Sequence, residues 1–312
     1  MPPSPTGSAA RQTLAGVLFL VVSMWALSGL DASGKYLMGA DIGVPLLVVC
    51  LVRYGVHMVL AMIVIVPSRG WKALRCRRPR AQVARGLSML AATMLFLTAA
   101  RYLPLGQATT LNFLAPLIVL AIAPWALKEP TFPSRWVAAG VGLLGVLVVI
   151  RPGSGLDLVG TLFGLMSACA LAAQYISSRR VAVDDPYTTL IWSGAVGSVV
   201  MALALPLYWR DIAALSGRLS GPEWLVLLGT GFWGCLGHFL QIQAYWRAPA
   251  SLLAPFVYFQ IVSAATLGWL IWGQFPDPVS WLGIAVVCAS GITIGLVEWR
   301  RNGAANTRGA RT

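Results

Sequence analysis

Displaced by 145 residues, the chain falls back on its own design. Arg101 to Arg151 reads as a short turn at Leu103-Pro104, an apolar helix, a charged turn at Lys128-Glu129-Pro130 and a second apolar helix opening at Trp136. Trp246 to Leu296 repeats it without gaps: Pro104 falls on Pro249, Pro133 on Pro278, Trp136 on Trp281 and Val141 on Val286. Glu129 meets Gln274 in the equivalent turn, and Lys35 meets Arg180 at the far end of the first apolar span of each half. Few identities survive, so the symmetry is one of pattern. Internal repeats in an apolar chain are a hallmark of secondary transporters.

The pattern sits in a chain with 58% hydrophobic and 11% charged residues over 312 positions, too little polar surface for a soluble domain. A helix needs about 20 mostly apolar residues to cross the hydrocarbon. Ten runs qualify: roughly 13–34, 44–66, 86–103, 106–127, 135–150, 157–178, 187–208, 223–245, 250–272 and 280–297. Backbone polar groups in lipid must bond internally, and the runs lack barrel alternation, so the spans are helical. The expected fold is an all-α integral membrane protein of ten transmembrane helices in two five-helix repeats. The repeats cover 13–151 and 152–298, flanked by a short tail at 1–12 and a basic tail at 299–312 that reads as disordered. The first run is longer than a signal-peptide core and lacks a small-residue cleavage site, so it reads as a retained helix.

Charge sets the expected orientation. With the N-terminus in the cytoplasm, 17 Lys and Arg fall inside and 5 outside, with Arg53 within a span. This positive-inside bias places both termini in the cytoplasm of an inner membrane. Five spans per repeat is an odd number, so the halves lie inverted to one another. The net charge of +13 is then topological: the cluster at 69–85 lies beside a span, where it attracts anionic membrane lipid, and no nucleic-acid partner is expected.

Polar residues inside the spans are the candidates for a site, because an ionisable group at that depth needs a partner or a watery cavity. Arg53, at mid-membrane in span two, is the strongest of them, with a structural bond to helix ends or to Asp31 as the alternative. His57 follows one turn on, either as a proton carrier or as a hydrogen-bonded packing residue. Asp31 and Lys35 are spaced i, i+4, which suits a salt bridge along the helix or a charge gate. Asn112 and Gln107 lie in the outer half of span four, where Pro116 frees a backbone carbonyl one turn back. In span eight His238, Gln241 and Tyr245 share one helix face, and span nine adds Tyr258 and Gln260. Trp25 and Trp233, both mid-span, and Phe259 are candidates to stack on a planar solute. Gln174 and Tyr175 read either as inner-vestibule residues or as interfacial belt.

Other motifs fall away. Gly29 to Tyr36 approaches a phosphate-binding loop, but Tyr36 stands where Ser or Thr is needed and no strand precedes it. Gly229 to Gly234 matches a dinucleotide fingerprint only in its glycine spacing. The cysteines show no metal-ligand spacing, and no catalytic signature is present, so neither metal nor cofactor is expected. Spans five and ten carry small residues, as in Gly291-x-x-x-Gly295, and read as scaffold or as a homodimer face.

R-x-L-x12-A-R-Y-L-P-L-x-x-A, from Arg85 to Ala108, followed by P-L-x11-E-x6-W with Pro116, Glu129 and Trp136, resembles the drug/metabolite transporter superfamily, in its EamA-type two-repeat form. The resemblance runs from the first span to the last. It implies ten helices in inverted repeats, alternating access and a central solute cavity, with amino acids, riboflavin, nucleoside-like compounds or S-adenosylmethionine as family substrates. Gln274 stands where many relatives carry Glu and Ile261 where many have Pro, which counts against a mechanism needing two symmetric carboxylates.

The function expected is gradient-driven transport of a small organic metabolite, with proton or ion coupling. A planar solute such as riboflavin is one reading, and export of amino acids is another. An integral-membrane enzyme or structural subunit is the alternative of another class; it leaves the repeat unexplained. Solute contact is assigned to Trp25, Arg53, Asn112, Trp233, His238, Gln241 and Tyr258, and gating or coupling to Asp31, Lys35 and His57.

Overall fold

The computed structural model describes residues 5–127, 133–150, 157–215, 217–248, 253 and 256–309. Among these the secondary structure is helical. In chain order the helices are α1 (Pro5–Leu37), α2 (Leu46–Arg69), α3 (Pro79–Tyr102), α4 (Leu105–Asn112), α5 (Leu114–Leu127) and α6 (Pro133–Ile150). The second half holds α7 (Leu158–Arg180), α8 (Pro186–Leu203), the short α9 (Trp209–Leu215), α10 (Gly221–Arg247), α11 (Phe259–Trp272) and α12 (Pro278–Gly309). Six segments are long and apolar enough to cross a membrane: Leu14–Leu37, Leu46–Arg69, Pro79–Tyr102, Leu158–Arg180, Pro186–Leu203 and Gly221–Arg247. Leu105–Val119, Trp136–Val149, Phe259–Trp272 and Pro278–Thr293 are shorter apolar helical segments that occupy the four remaining spans.

Local chemistry sets the boundaries. Proline, whose missing N–H is no loss in a first turn, opens α3, α6, α8 and α12 and immediately precedes α2 and α4. Asp157 caps α7 through the Gly160 N–H at 2.7 Å, and Asp185 caps α8 through the Tyr187 N–H at 2.8 Å. Ser220 and Glu223 form a capping box at α10. Gly70 and Gly273, at φ 69° and 68°, end α2 and α11 in a conformation that a side chain would strain.

Several boundaries differ from the sequence expectation. Helix α3 begins at Pro79, seven residues earlier than the apolar run, so Arg80 and Arg85 ride on a helix that was read as loop. Span four is two helices, broken at Phe113: Pro116 offers no N–H to the Asn112 carbonyl, and the chain turns there. Span seven ends at Leu203, followed by a 3₁₀ turn at Leu205–Leu207 and then α9. Helices α1 and α12 run on into both polar tails, which hold no proline between Pro5 and Leu37 or after Pro278. Lys128, Glu129, Arg151 and Pro249 lie outside the described residues.

The packing obeys an exchange of the two halves. Contact of α1 with α10 is matched by α3 with α7, α1 with α11 by α5 with α7, and α2 with α10 by α3 with α8. The pairs α2–α8 and α6–α12 map onto themselves. This is the pairing of two five-span units related by a pseudo-twofold, and the odd span count inverts them. Glycine permits the self-paired contacts. Gly197 of α8 receives the Tyr54 ring of α2, and a Cβ on Gly283 of α12 would stand 2.7 Å from the Gly145 carbonyl oxygen of α6. Gly291, one of the small residues read as an oligomer face, is filled by the Tyr258 hydroxyl of the same chain. Because a backbone oxygen cannot yield as a side chain can, Gly283→Ala is expected to cost about 1–3 kcal/mol, read as a lower melting temperature of the purified protein.

Candidate functional site

A cavity of about 430 Å³ lies between the halves, walled by α1, α2, α3, α4, α5, α7, α10 and α11. That is the size of a small-metabolite site. The face bearing the α2–α3 loop, with Arg69, Lys72, Arg75, Arg77 and Arg78, is called here the basic face. The lining reaches Arg85, Ser178 and Tyr245, near the basic ends of α3, α7 and α10. In the other direction it stops at Asp31, Phe96 and Thr109. Asp31 is six residues short of the end of α1, roughly 9 Å along its axis.

Three charged side chains line the cavity, and their surroundings differ. Arg53 is 7% exposed and makes no hydrogen bond or ion pair with any described residue; its guanidinium lies 5.2 Å from the Tyr54 ring. Asp31 hydrogen-bonds Gln260 and interacts with Arg53 through its charge, without an ion pair. Arg85 donates from Nε to Ser178 Oγ of α7 at 2.8 Å and from a terminal nitrogen to Ser193 Oγ of α8. The Ser178 hydroxyl in turn donates to the Gln174 backbone carbonyl at 2.7 Å.

Helix α4 presents buried acceptors. Thr109 and Asn112 both line the cavity, and neither Thr109 Oγ1 nor Asn112 Oδ1 has a hydrogen-bond partner. Unpaired buried polar atoms are costly, and Gln82 Oε1, Gln107 Oε1 and Thr161 Oγ1, away from the cavity lining, are unpaired as well.

Of the residues assigned to solute contact, Arg53, Asn112, His238 and Gln241 line the cavity, as does Asp31 from the gating set. Trp25 and Trp233 do not: each is 38% exposed and outside the lining. Tyr258 lies behind the wall, its ring 4.8 Å from that of Phe113. His57 is buried behind His238, with ring centroids 6.0 Å apart and Nε2 3.3 Å from the Leu190 carbonyl oxygen. Lys35 leaves Asp31 unpaired by it: Nζ donates to the Leu103 carbonyl at 2.7 Å and to Gln274 Oε1 at 3.3 Å, 5.0 Å from the Trp272 ring. It therefore ties the end of α1 to the turns after α3 and α11, beyond the closed end of the cavity.

Arg85, Thr93, Thr109 and Ser178 are polar lining residues that the sequence analysis does not single out as site candidates. Arg85 belongs to the basic cluster at 69–85, yet it lies at i−4 and i−8 from Met89 and Thr93, which line the same wall. The signal was Pro79 as a helix start. Tyr175 and Gln174, read as vestibule or belt, line the cavity.

On the basic face, Asp184 accepts from the Arg77 N–H at 2.7 Å and from Gln82 Nε2 at 3.0 Å, and Arg69 pairs with Asp185. These contacts bind the loop of one repeat to that of the other. Desolvation, and then the charge of Asp184, raise the Cys76 thiol above its ordinary range, so it is a poor nucleophile at neutral pH.

The model of the EamA-like transporter family matches residues 13–151 and again 158–296, two segments offset by 145 residues, as is the sequence pattern. An uncharacterized transporter of Helicobacter pylori (strain J99) is 30% identical over 69% of this chain and 71% of its own length. An S-adenosylmethionine uptake transporter of Rickettsia felis is 25% identical over 89% of this chain and 92% of its own. A riboflavin transporter of Vibrio cholerae is 23% identical over 91% of this chain and 93% of its own.

Proposed function

The chain belongs to the EamA-like transporter family, and from that premise we propose that it carries a small organic metabolite across the inner membrane by alternating access around the central cavity. It is a multi-pass membrane transporter and not an enzyme. The carrying observation is the cavity itself, built at the interface of the two repeats, extended toward the basic face and stopped short of the opposite one. With the basic face cytoplasmic, this is an inward-facing arrangement, and Lys35 is the tie that closes the outer side.

The names of the relatives suggest a nucleoside-derived or flavin solute. Phe96, Phe113, Tyr175 and Tyr245 line the cavity and, in place of Trp25 and Trp233, offer the rings on which a planar solute would stack. Proton coupling is proposed through Asp31, the one carboxylate among the described lining residues. The test is uptake of labelled S-adenosylmethionine, riboflavin and phenylalanine into proteoliposomes, with and without a proton gradient. Saturable uptake of one of them supports the reading; uptake no faster than in protein-free vesicles, for all three, contradicts it.

Lys35→Ala removes two hydrogen bonds from a charged donor, each worth about 1.5–3 kcal/mol when buried. Discounted for its partial exposure, the loss is expected to raise by about 10-fold the rate at which a thiol placed in the cavity is labelled from the face opposite the basic one. An unchanged rate would remove Lys35 from the closure.

A further inference from the structure

Arg53 sits in the wall of a cavity with its donors unused. A guanidinium stays charged in any protein environment and offers five N–H donors in a planar fork. Burying one without a partner is costly, and such a group persists in a membrane protein where function requires it. The neighbouring carboxylate does not take up its donors: Asp31 acts on Arg53 through its field and forms no ion pair with it. The cavity thus lacks one planar anionic acceptor at Arg53.

We infer that the transported solute carries a single carboxylate, bound by the Arg53 guanidinium. This rests on the transport reading and narrows it to a solute class. A carboxylate matches the fork in two parallel hydrogen bonds. Asp31 disfavours a dianion: a carboxylate meets the Arg53 guanidinium one to one, whereas the second charge of a phosphate dianion would be repelled by Asp31 in a low-dielectric site. Riboflavin, which has no carboxylate, leaves Arg53 unpaired and is disfavoured.

The test compares carboxylates with their carboxamides on the purified full-length chain. The probes are phenylalanine and phenylalaninamide, S-adenosylmethionine and its carboxamide, and riboflavin. Two readouts are taken: ligand-induced thermal stabilisation for binding, and solute exchange in proteoliposomes for transport. At least one carboxylate is expected to bind about 10- to 100-fold more tightly than its amide. The ratio should fall to about 1 in Arg53→Gln and recover in part in Arg53→Lys, which keeps the charge but not the fork. A merely structural Arg53 would weaken acid and amide alike and leave their ratio unchanged, overturning the inference. A ratio near 1 in the wild type, or no binding of either carboxylate, also overturns it, whether or not the glutamine variant folds. Carboxylate binding without exchange upholds the inference and contradicts transport. Exchange of riboflavin alone, unaffected by Arg53→Gln, overturns the inference and leaves transport standing.

Discussion

Arg53→Ala is expected to lower flux of the transported solute by at least about 100-fold while leaving the protein as stable as the wild type, or more so. The combination follows from one fact: the side chain is buried in the cavity wall and makes no hydrogen bond or ion pair with any described residue. Truncation removes a buried charge offset only by the field of Asp31 and by the Tyr54 ring, and breaks no hydrogen bond. Flux in proteoliposomes and melting in detergent check the two halves of the expectation on the same preparation. Wild-type flux would take Arg53 out of the site; a large fall in melting temperature would give it a structural partner instead.

Arg85→Ala is expected to give the opposite signature. Its guanidinium spans from α3 to Ser178 on α7 and Ser193 on α8, so its loss unties three helices of both repeats at the basic end of the cavity. Two hydrogen bonds from a charged donor in a partly exposed position set the cost at about 2–4 kcal/mol. Flux falls because the wall moves, and the melting temperature falls with it. Arg85→Lys restores the charge but cannot reach both hydroxyls with one fork, so only partial recovery of stability is expected. Full recovery with lysine would show that charge alone matters there.

The repeat was the most legible feature because it is written in prolines and chain length, which constrain backbone directly. Pro104, Pro133 and Pro278 mark helix starts whatever the rest of the fold does. The inward face of α10 was legible too, since His238, Gln241 and Tyr245 can share a wall only if that wall is polar. The tryptophans misled for a reason also visible in periodicity. Trp25 continues the exposed apolar stripe of Leu14, Leu18 and Val22, whereas Met24, Leu27 and Asp31 turn toward the cavity. Depth in the membrane identified Trp25 as unusual, and helical phase placed it outside. Lys35 could not be read from local spacing, because its partners Leu103 and Gln274 lie 68 and 239 residues away. The orphaned acceptors of α4 depend on a break at Phe113 that no single residue announces. Pro116, three positions on, shows only that a carbonyl is freed.

Alternating access through this cavity is tested most directly by sided labelling of one thiol. Cys50, Cys76, Cys169, Cys235 and Cys288 are replaced, and Ala92, a small lining residue in the middle of α3, becomes cysteine. A membrane-impermeant thiol reagent is then applied from each face of oriented vesicles. The account predicts labelling from both faces, faster from the basic one, with the opposite-face rate increased by Lys35→Ala. Labelling from the basic face alone, in wild-type and Lys35→Ala backgrounds alike, would mean that the cavity is a one-sided pocket and would contradict it.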